Sequence, residues 1–330
     1  MKNVTIIIPK GNFSLVNVAG TYQMLSWVNE FLEQQEQDPL FHLQLAGLTG
    51  SVTQPGGFFI TRPEILLDEI DSTDLIILPA IHGEFHDNLN MNAELIPWLI
   101  KHYRKGAEIA SFCIGSFLLA ATGLLDGKPC STHWQFANEF RNMFPEAQLM
   151  DHKILTEAEG IYTSGGAYSF TNLVIYLIEK YAGRDVAVNA AKAFMIDIDR
   201  TKQSPFMIFA GQKAHQDQVV LNAQDYIERN FSEKITIEEL AGMVRIGRRT
   251  FERRFKRATS NTVAEYIQRV KMEAAKKQLE TEQKTISEVM YDVGYNDVKA
   301  FRDVFRKVTG MSPLGYKNKY YKEIMFERVN

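Results

Sequence analysis

Residues 235–260, ITIEELAGMVRIGRRTFERRFKRATS, and residues 284–310, KTISEVMYDVGYNDVKAFRDVFRKVTG, carry one pattern written twice. Thr236-Ile237 and Glu239 return as Thr285-Ile286 and Glu288, 49 positions on, and Val244 returns as Val293. After a slip of one residue, Phe251 and Phe255 return as Phe301 and Phe305, followed by Thr259/Thr309, Thr262/Ser312 and Tyr266/Tyr316. A spacing held over this length marks a structural unit used twice.

Each copy reads as a helix, a turn and a second helix. Thr236 with Glu239 forms a capping box, in which the Thr side chain takes a free N3 amide and the Glu reaches back to the cap. The helix after the turn, 248–259, places Phe251 and Phe255 one turn apart on its inner face. Arg249 and Arg253 then point outward, flanked by Arg248, Glu252 and Lys256. In the second copy Phe301 and Phe305 turn inward and leave Lys299, Arg302, Asp303 and Arg306 outside. An apolar back with long polar donors in front is what a helix needs to read base edges and phosphates in a major groove. A helix at 217–231 precedes the pair, and one long helix over about 262–282 joins the two copies. Recognition helices on such a connector can enter groove segments about one turn, roughly 34 Å, apart.

Charge divides along the same line. Residues 216–330 hold 22 Lys and Arg against 17 Asp and Glu, a balance of +5, whereas residues 1–215 hold 15 against 23, or −8. A basic part behind an acidic one is expected where only one meets a polyanion.

Residues 235–319 resemble the DNA-binding domain of AraC-type transcriptional regulators, through ITIEELAGMV, RTFERRFKRAT, EYIQRVKMEAA, ISEVMYDVGYNDVKAFRDVFRKVTG and the closing MSPLGYK. The resemblance assigns base readout to Arg249, Glu252 and Arg253 in the first copy and to Lys299, Arg302 and Asp303 in the second. Two positions depart from the family pattern: Gly247 stands where a capping Ser is usual, and Lys317 where Arg follows the Tyr. A Gly cap costs only a few tenths of a kcal/mol relative to Ser.

The first two hundred residues alternate strand and helix. Segments 4–9, 41–48, 74–79 and 108–113 read as buried strands, and 17–31, 92–104, 114–122 and 169–181 as helices. This alternation predicts a flavodoxin-like α/β sandwich, a parallel sheet covered on both faces, with a ligand crevice at the carboxyl ends of its strands. At one such end Ile109-Ala110-Ser111-Phe112-Cys113-Ile114-Gly115-Ser116 reads as a nucleophile elbow, a tight strand-to-helix turn exposing one side chain. A helix N-terminus behind Cys113 is expected to lower its thiol pKa.

The runs ASFCIGSFLLAATGLLDGKPCSTHW and IYTSGGAYSFTNLVIYLIEKYAG resemble the PfpI-like superfamily, with its class I glutamine-amidotransferase-like fold, over about residues 3–200. Joined to AraC-type helices, such a domain resembles the GlxA-type subgroup of regulators. PfpI-like hydrolases carry a His after the Cys and an acid from the first βα segment. Here Ile114 replaces that His, no carboxylate stands at 15–17, and Pro79-Ala80-Ile81 takes the place of glycines. Cys113 and His133 therefore read as vestiges of a catalytic site, since a thiol without base and orienting acid lacks the usual activation. The pocket is expected to bind a small-molecule effector through Asn17, Ile81, His82, Cys113, Ile114, His133, Ser164, Gly165 and Gly166.

Cofactor and metal are not expected. His82 and His86 with Glu84 lie in IHGEFHDN, which reads as a loop, and no third ligand can be placed. Two cysteines make no disulfide framework. No apolar run approaches membrane-spanning length, so a cytoplasmic location is expected. The sequence thus predicts a sensor domain over 1–200, a linker over 201–216 and a DNA-binding domain over 217–330. Its expected partners are double-stranded DNA, a small-molecule effector, a second copy of the chain and RNA polymerase. The competing reading is a cysteine hydrolase or amidase carrying DNA-binding helices.

Overall fold

The computed structural model describes residues 1–213 and 215–321. Ala214 of the expected linker and the last nine residues of the expected DNA-binding domain lie outside the described residues. The chain divides into two units, Met1–Gln203 and Ser204–Asn330.

The first unit is built on a seven-stranded sheet: β1 (Lys2–Ile8), β2 (Phe41–Gly47), β3 (Ile65–Leu66), β4 (Leu75–Leu78), β5 (Glu108–Phe112), β6 (Leu155–Ala158) and β7 (Ile161–Ser164). Its order is β6-β7-β5-β4-β1-β2-β3. All pairings are parallel except β6–β7. The centre is apolar on both faces, as a covered parallel sheet must be. Register aligns Ile6 with Ile77 and Ile77 with Ala110. Side chains alternate between two cores. Ile6, Ile8, Ile77 and Phe112 meet α1 (Leu15–Glu33), α6 (Phe170–Ala182) and α7 (Arg184–Ala193). Ile7, Ile76, Leu78 and Ile109 meet α3 (Leu95–Arg104), α4 (Ser116–Ala120) and α5 (Ala137–Met143).

Several local expectations are corrected. The stretch read as a loop around His82 holds a short strand, Ile81–His82, antiparallel to Asn12–Phe13, followed by α2 (Phe85–Met91). Two turns of helix are too short to show a period, but Phe85 stacks on Phe117 at 3.9 Å and is held by that contact. The helix expected at 92–104 starts at Leu95, and that at 114–122 is replaced by a 3-10 turn, Cys113–Gly115, running into α4.

The second unit is helical: α8 (Gln218–Arg229), α9 (Ile237–Met243), α10 (Arg248–Thr259), α11 (Val263–Thr281), α12 (Ile286–Asp292), α13 (Val298–Thr309) and α14 (Pro313–Tyr320). The repeat is reproduced in several of its hydrogen bonds, though Asp297 caps α13 where Gly247 gives α10 no side-chain cap. Thr236, Thr262 and Thr285 each close a capping box with the Glu three residues on. Thr259 Oγ1 donates to Phe255 O at 2.8 Å, as Thr309 Oγ1 does to Phe305 O. One core gathers Phe251, Phe255 and Tyr266, the other Phe301, Phe305 and Tyr316, and Phe231 packs against both. Buried Lys271 on α11 bonds both halves, donating to Glu233 O at 3.3 Å and to Val293 O at 3.0 Å. Burial holds its ammonium below the usual lysine range. The turn between helices takes a left-handed residue in each copy, Arg245 (φ 56°) in the first and Gly294 (φ 74°) in the second. At Gly294 a β-carbon would stand 2.0 Å from Ser232 O, so only glycine fits.

Candidate functional site

The residues expected to face DNA are carried on α10 and α13. Phe251, Phe255, Phe301 and Phe305 are fully buried, which fixes the rotation of both helices. Arg249, Arg253 and Lys256 are exposed on α10, and Lys299, Arg302, Asp303 and Arg306 on α13. Among the described residues none of these seven takes part in an ion pair. Arg248 and Glu252 differ: Arg248 pairs with Glu238 and lies 3.5 Å from Glu252. Sequence reasoning missed Arg254, which makes a two-pronged bond to Asp217, the cap of α8, at 2.9 and 2.7 Å. That bond holds the Asp217 carboxyl below its usual range. On Lys299, Arg302, Asp303 and Arg306 borders an open crevice reaching Ser312 and Pro313.

The second site lies where β1, β4, β5 and β7 end. Cys113 has φ 54°, the strained backbone of an elbow. Gly115 is required behind it, because a β-carbon there would stand 2.5 Å from Pro79 O. Ser116 Oγ donates to Cys113 O at 2.9 Å, and Thr132 Oγ1 approaches the same carbonyl at 3.2 Å. The thiol itself contradicts the expectation of a lowered pKa. Cys113 is 4% exposed, and burial pushes it up to about 12, against the opposing pull of the Ile114 and Gly166 backbone amides. The turn that follows β5 is a short 3-10 piece rather than a long helix, and desolvation outweighs its dipole.

The other expected pocket residues are found as follows. Asn17 is buried and its Oδ1 accepts from Ala80 N–H at 3.1 Å, while its Nδ2 has no partner among the described residues. Ser164 is buried with an unpartnered hydroxyl. Gly165 is crowded, since a β-carbon would meet Gln203 Nε2 at 2.0 Å. Ile81 and Ile114 line a crevice of about 10 Å³ with Phe85, Asn88 and Phe117, about the size of one water. His133 is half-buried, packs against Trp134 and Phe136, and its Nδ1 accepts from Gln135 N–H. Desolvation, then the charge of His82, holds it below the usual histidine range. His82 is exposed, and desolvation lowers its pKa too. His86 sits apart in α2. Among the described residues no cluster of three or more His, Cys, Asp or Glu is placed to hold a metal ion, and no helix is long and apolar enough to cross a membrane.

Cys130 is buried in the short strand Pro129–Cys130, paired with Gln148–Leu149. Sequence reasoning missed Gln203, a buried residue in the segment read as linker.

Fold and sites together define a two-part, helix-turn-helix DNA-binding regulator with an α/β elbow domain in front. The chain belongs to the DJ-1/PfpI family, whose profile matches residues 4–180; a helix-turn-helix domain profile matches residues 240–319. It is 25% identical over 309 residues to the HTH-type transcriptional regulator GbdR of Pseudomonas aeruginosa, covering 92% of this chain and 80% of that one. It is 22% identical to the HTH-type transcriptional regulator GlxA of Rhizobium meliloti, covering 92% and 91%. Among solved structures, a putative transcriptional regulator from Vibrio parahaemolyticus aligns with TM-score 0.52 at 24% identity, over 59% of this chain and 98% of that one. An AraC family regulator from Pseudomonas putida aligns with TM-score 0.51 at 16% identity, over 59% of this chain and 100% of its own. Both show the fold of the first unit.

Proposed function

We propose that this DNA-binding regulator works in the cytoplasm as a homodimer, with α10 and α13 in successive major grooves and the first unit sensing a small molecule. The carrying observation is the pair of outward cationic faces. Their side chains have no ion pair within the described residues, while the phenylalanines behind them fix their direction. Charges left unpaired on a rigid face are available to phosphates and base edges. RNA polymerase is the natural further partner of such a regulator. The sensor site is the group Asn17, Ile81, His82, Cys113, Ile114, His133, Ser164 and Gly165. A neutral buried thiol and two histidines held toward their neutral forms suit ligand recognition better than nucleophilic attack, so the first unit acts without turnover.

DNA binding is tested by titrating the full-length protein onto its own promoter region at several salt concentrations. Affinity should fall steeply as salt rises, because bound phosphates release counterions. Salt-insensitive or absent binding contradicts the reading. A thermal-shift screen of small amines, amides and amino acids tests the sensor. Turnover of an amide or α-oxoaldehyde that Cys113→Ala abolishes would establish the hydrolase instead.

A further inference from the structure

Along α11 the two helical cores change over at a single residue. Val263, Tyr266 and Val270 belong to the first core, and Met272, Ala275 and Leu279 to the second. Between Val270 and Met272 stands Lys271, 8% exposed and without an ion pair among the described residues. Its Nζ donates to Glu233 O at 3.3 Å, in the loop after α8, and to Val293 O at 3.0 Å, in the turn before α13. Val293 caps the carboxyl end of α12, where the helix dipole leaves negative partial charge. The Tyr295 ring of the same turn lies 5.6 Å from the ammonium, within cation–π range.

The loop and the turn also touch directly. A β-carbon at Gly294 would stand 2.0 Å from Ser232 O and 2.7 Å from Lys271 Nζ, and Phe231 packs on both cores. Residues 231–233 and 293–295 therefore form the joint between the two helix-turn-helix copies, with Lys271 buried in it. A buried ammonium facing no carboxylate costs stability that an apolar residue of similar length would not. What the charge adds is direction, since its three N–H donors hold carbonyls from both copies to one point on α11. The second recognition helix begins at Val298, directly beyond this turn, so the joint sets where α13 points relative to α10.

We propose that Lys271 is the positioning residue that fixes the angle between the two recognition helices, and with it the spacing of the DNA elements the protein accepts. This rests on reading α10 and α13 as entering successive major grooves. One base pair more or less moves a groove segment about 3.4 Å along the DNA axis and roughly 35° around it. Helices held at one angle match one separation, and helices on a loosened joint tolerate several.

The test compares the full-length protein with Lys271→Met, which keeps the length of the side chain and removes its donors. Footprinting on the protein's own promoter region locates the protected groove segments. Kd is then measured on that duplex and on the same duplex with one base pair inserted or removed between the segments. The parent should lose about tenfold or more on the altered duplexes, the scale of a mismatched base pair, and Lys271→Met less than about threefold. Without DNA, spin labels at Thr250→Cys and Ala300→Cys, exposed copy-related positions at the starts of α10 and α13, report the angle in protein diluted with unlabelled chain. The parent should give one narrow distance peak that splits or widens in Lys271→Met. A lower melting temperature with spacing preference and peak width both unchanged makes Lys271 a structural contact only and overturns the proposal. If just one groove segment is protected, the two-groove reading fails; an unbroadened peak in Lys271→Met then overturns the fixed angle as well, whereas a broadened one upholds it. Should Lys271→Met fail to fold, Lys271→Gln, which keeps N–H donors on a shorter stem, decides by the same readouts.

Discussion

Alkylation of Cys113 separates a sensing thiol from a catalytic one, and its rate can be worked out beforehand. The measurement is made in a Cys130→Ser background, because Cys130 is also buried and pushed up to about 12. Only the thiolate attacks iodoacetamide. With a pKa of about 12, roughly three Cys113 thiols in 100,000 are ionised at pH 7.5, against about one in ten for a free cysteine near 8.5. Ionisation alone thus slows the reaction about 3,000-fold relative to free cysteine, and burial slows it further. Mass spectrometry of time points should show a rate that climbs about tenfold per pH unit from 7 to 9. Unfolding in guanidinium should bring it to the free-cysteine rate. A native rate within tenfold of free cysteine at pH 7.5, or a plateau between pH 6 and 8, would mean an activated thiolate. Either result refutes the desolvation argument and restores the hydrolase.

Arg253→Ala should weaken specific DNA binding by about 1–3 kcal/mol and relax preference at one base position; uniform weakening across all sequences would make it a phosphate contact. Gly294→Ala should lower the melting temperature sharply, since the new methyl meets Ser232 O at 2.0 Å in a left-handed turn, whereas Arg245→Gly, at the matching turn, should leave it unchanged or raise it. An equal loss for both would contradict the packing given for Gly294. His102 is fully buried beside Trp98, with both ring nitrogens unpartnered among the described residues. Desolvation, then Lys101 and Lys105, holds its pKa below the usual value. Its neutral form is the folded one, so this contribution to stability is intact above about pH 6.5 and is lost as pH falls from there through the folded-state pKa. Thermal melts between pH 7.5 and 5 should show that decline, and His102→Leu should flatten it; an unchanged slope would count against burial as its cause.

The parts legible in the sequence are those written over short distances. A capping box spans four residues and a two-Phe stripe one turn, so α8 to α13 could be placed to within a residue or two, whereas α14 was not read as a helix. The β-strands with apolar runs, such as Ile6-Ile7-Ile8, were equally plain, and the Cys113 elbow followed from one run of eight residues. What stayed hidden depends on residues far apart. The edge strand β6 and its neighbour β7 gain their place from pairing, and α7 from packing on α6. Nothing near Gln203 in the chain marks it as buried, because its acceptors lie 50 to 72 positions away. The Cys113 thiol was misread because helix dipoles can be inferred from a turn, while desolvation depends on everything folded around it. Lys271 reads as an ordinary helix-surface lysine until the Val293 turn closes over it.

The left-handed turn residue also bears on how the two copies can change over generations. At Arg245 (φ 56°) the backbone conformation is open to Asn, Asp or Gly as well as Arg, so this turn accepts ordinary single substitutions. At Gly294 the Ser232 carbonyl closes that route, and any lineage that leaves glycine must move the neighbouring loop at the same time. The turn of the second helix-turn-helix is thereby bound to glycine by the loop packed against it.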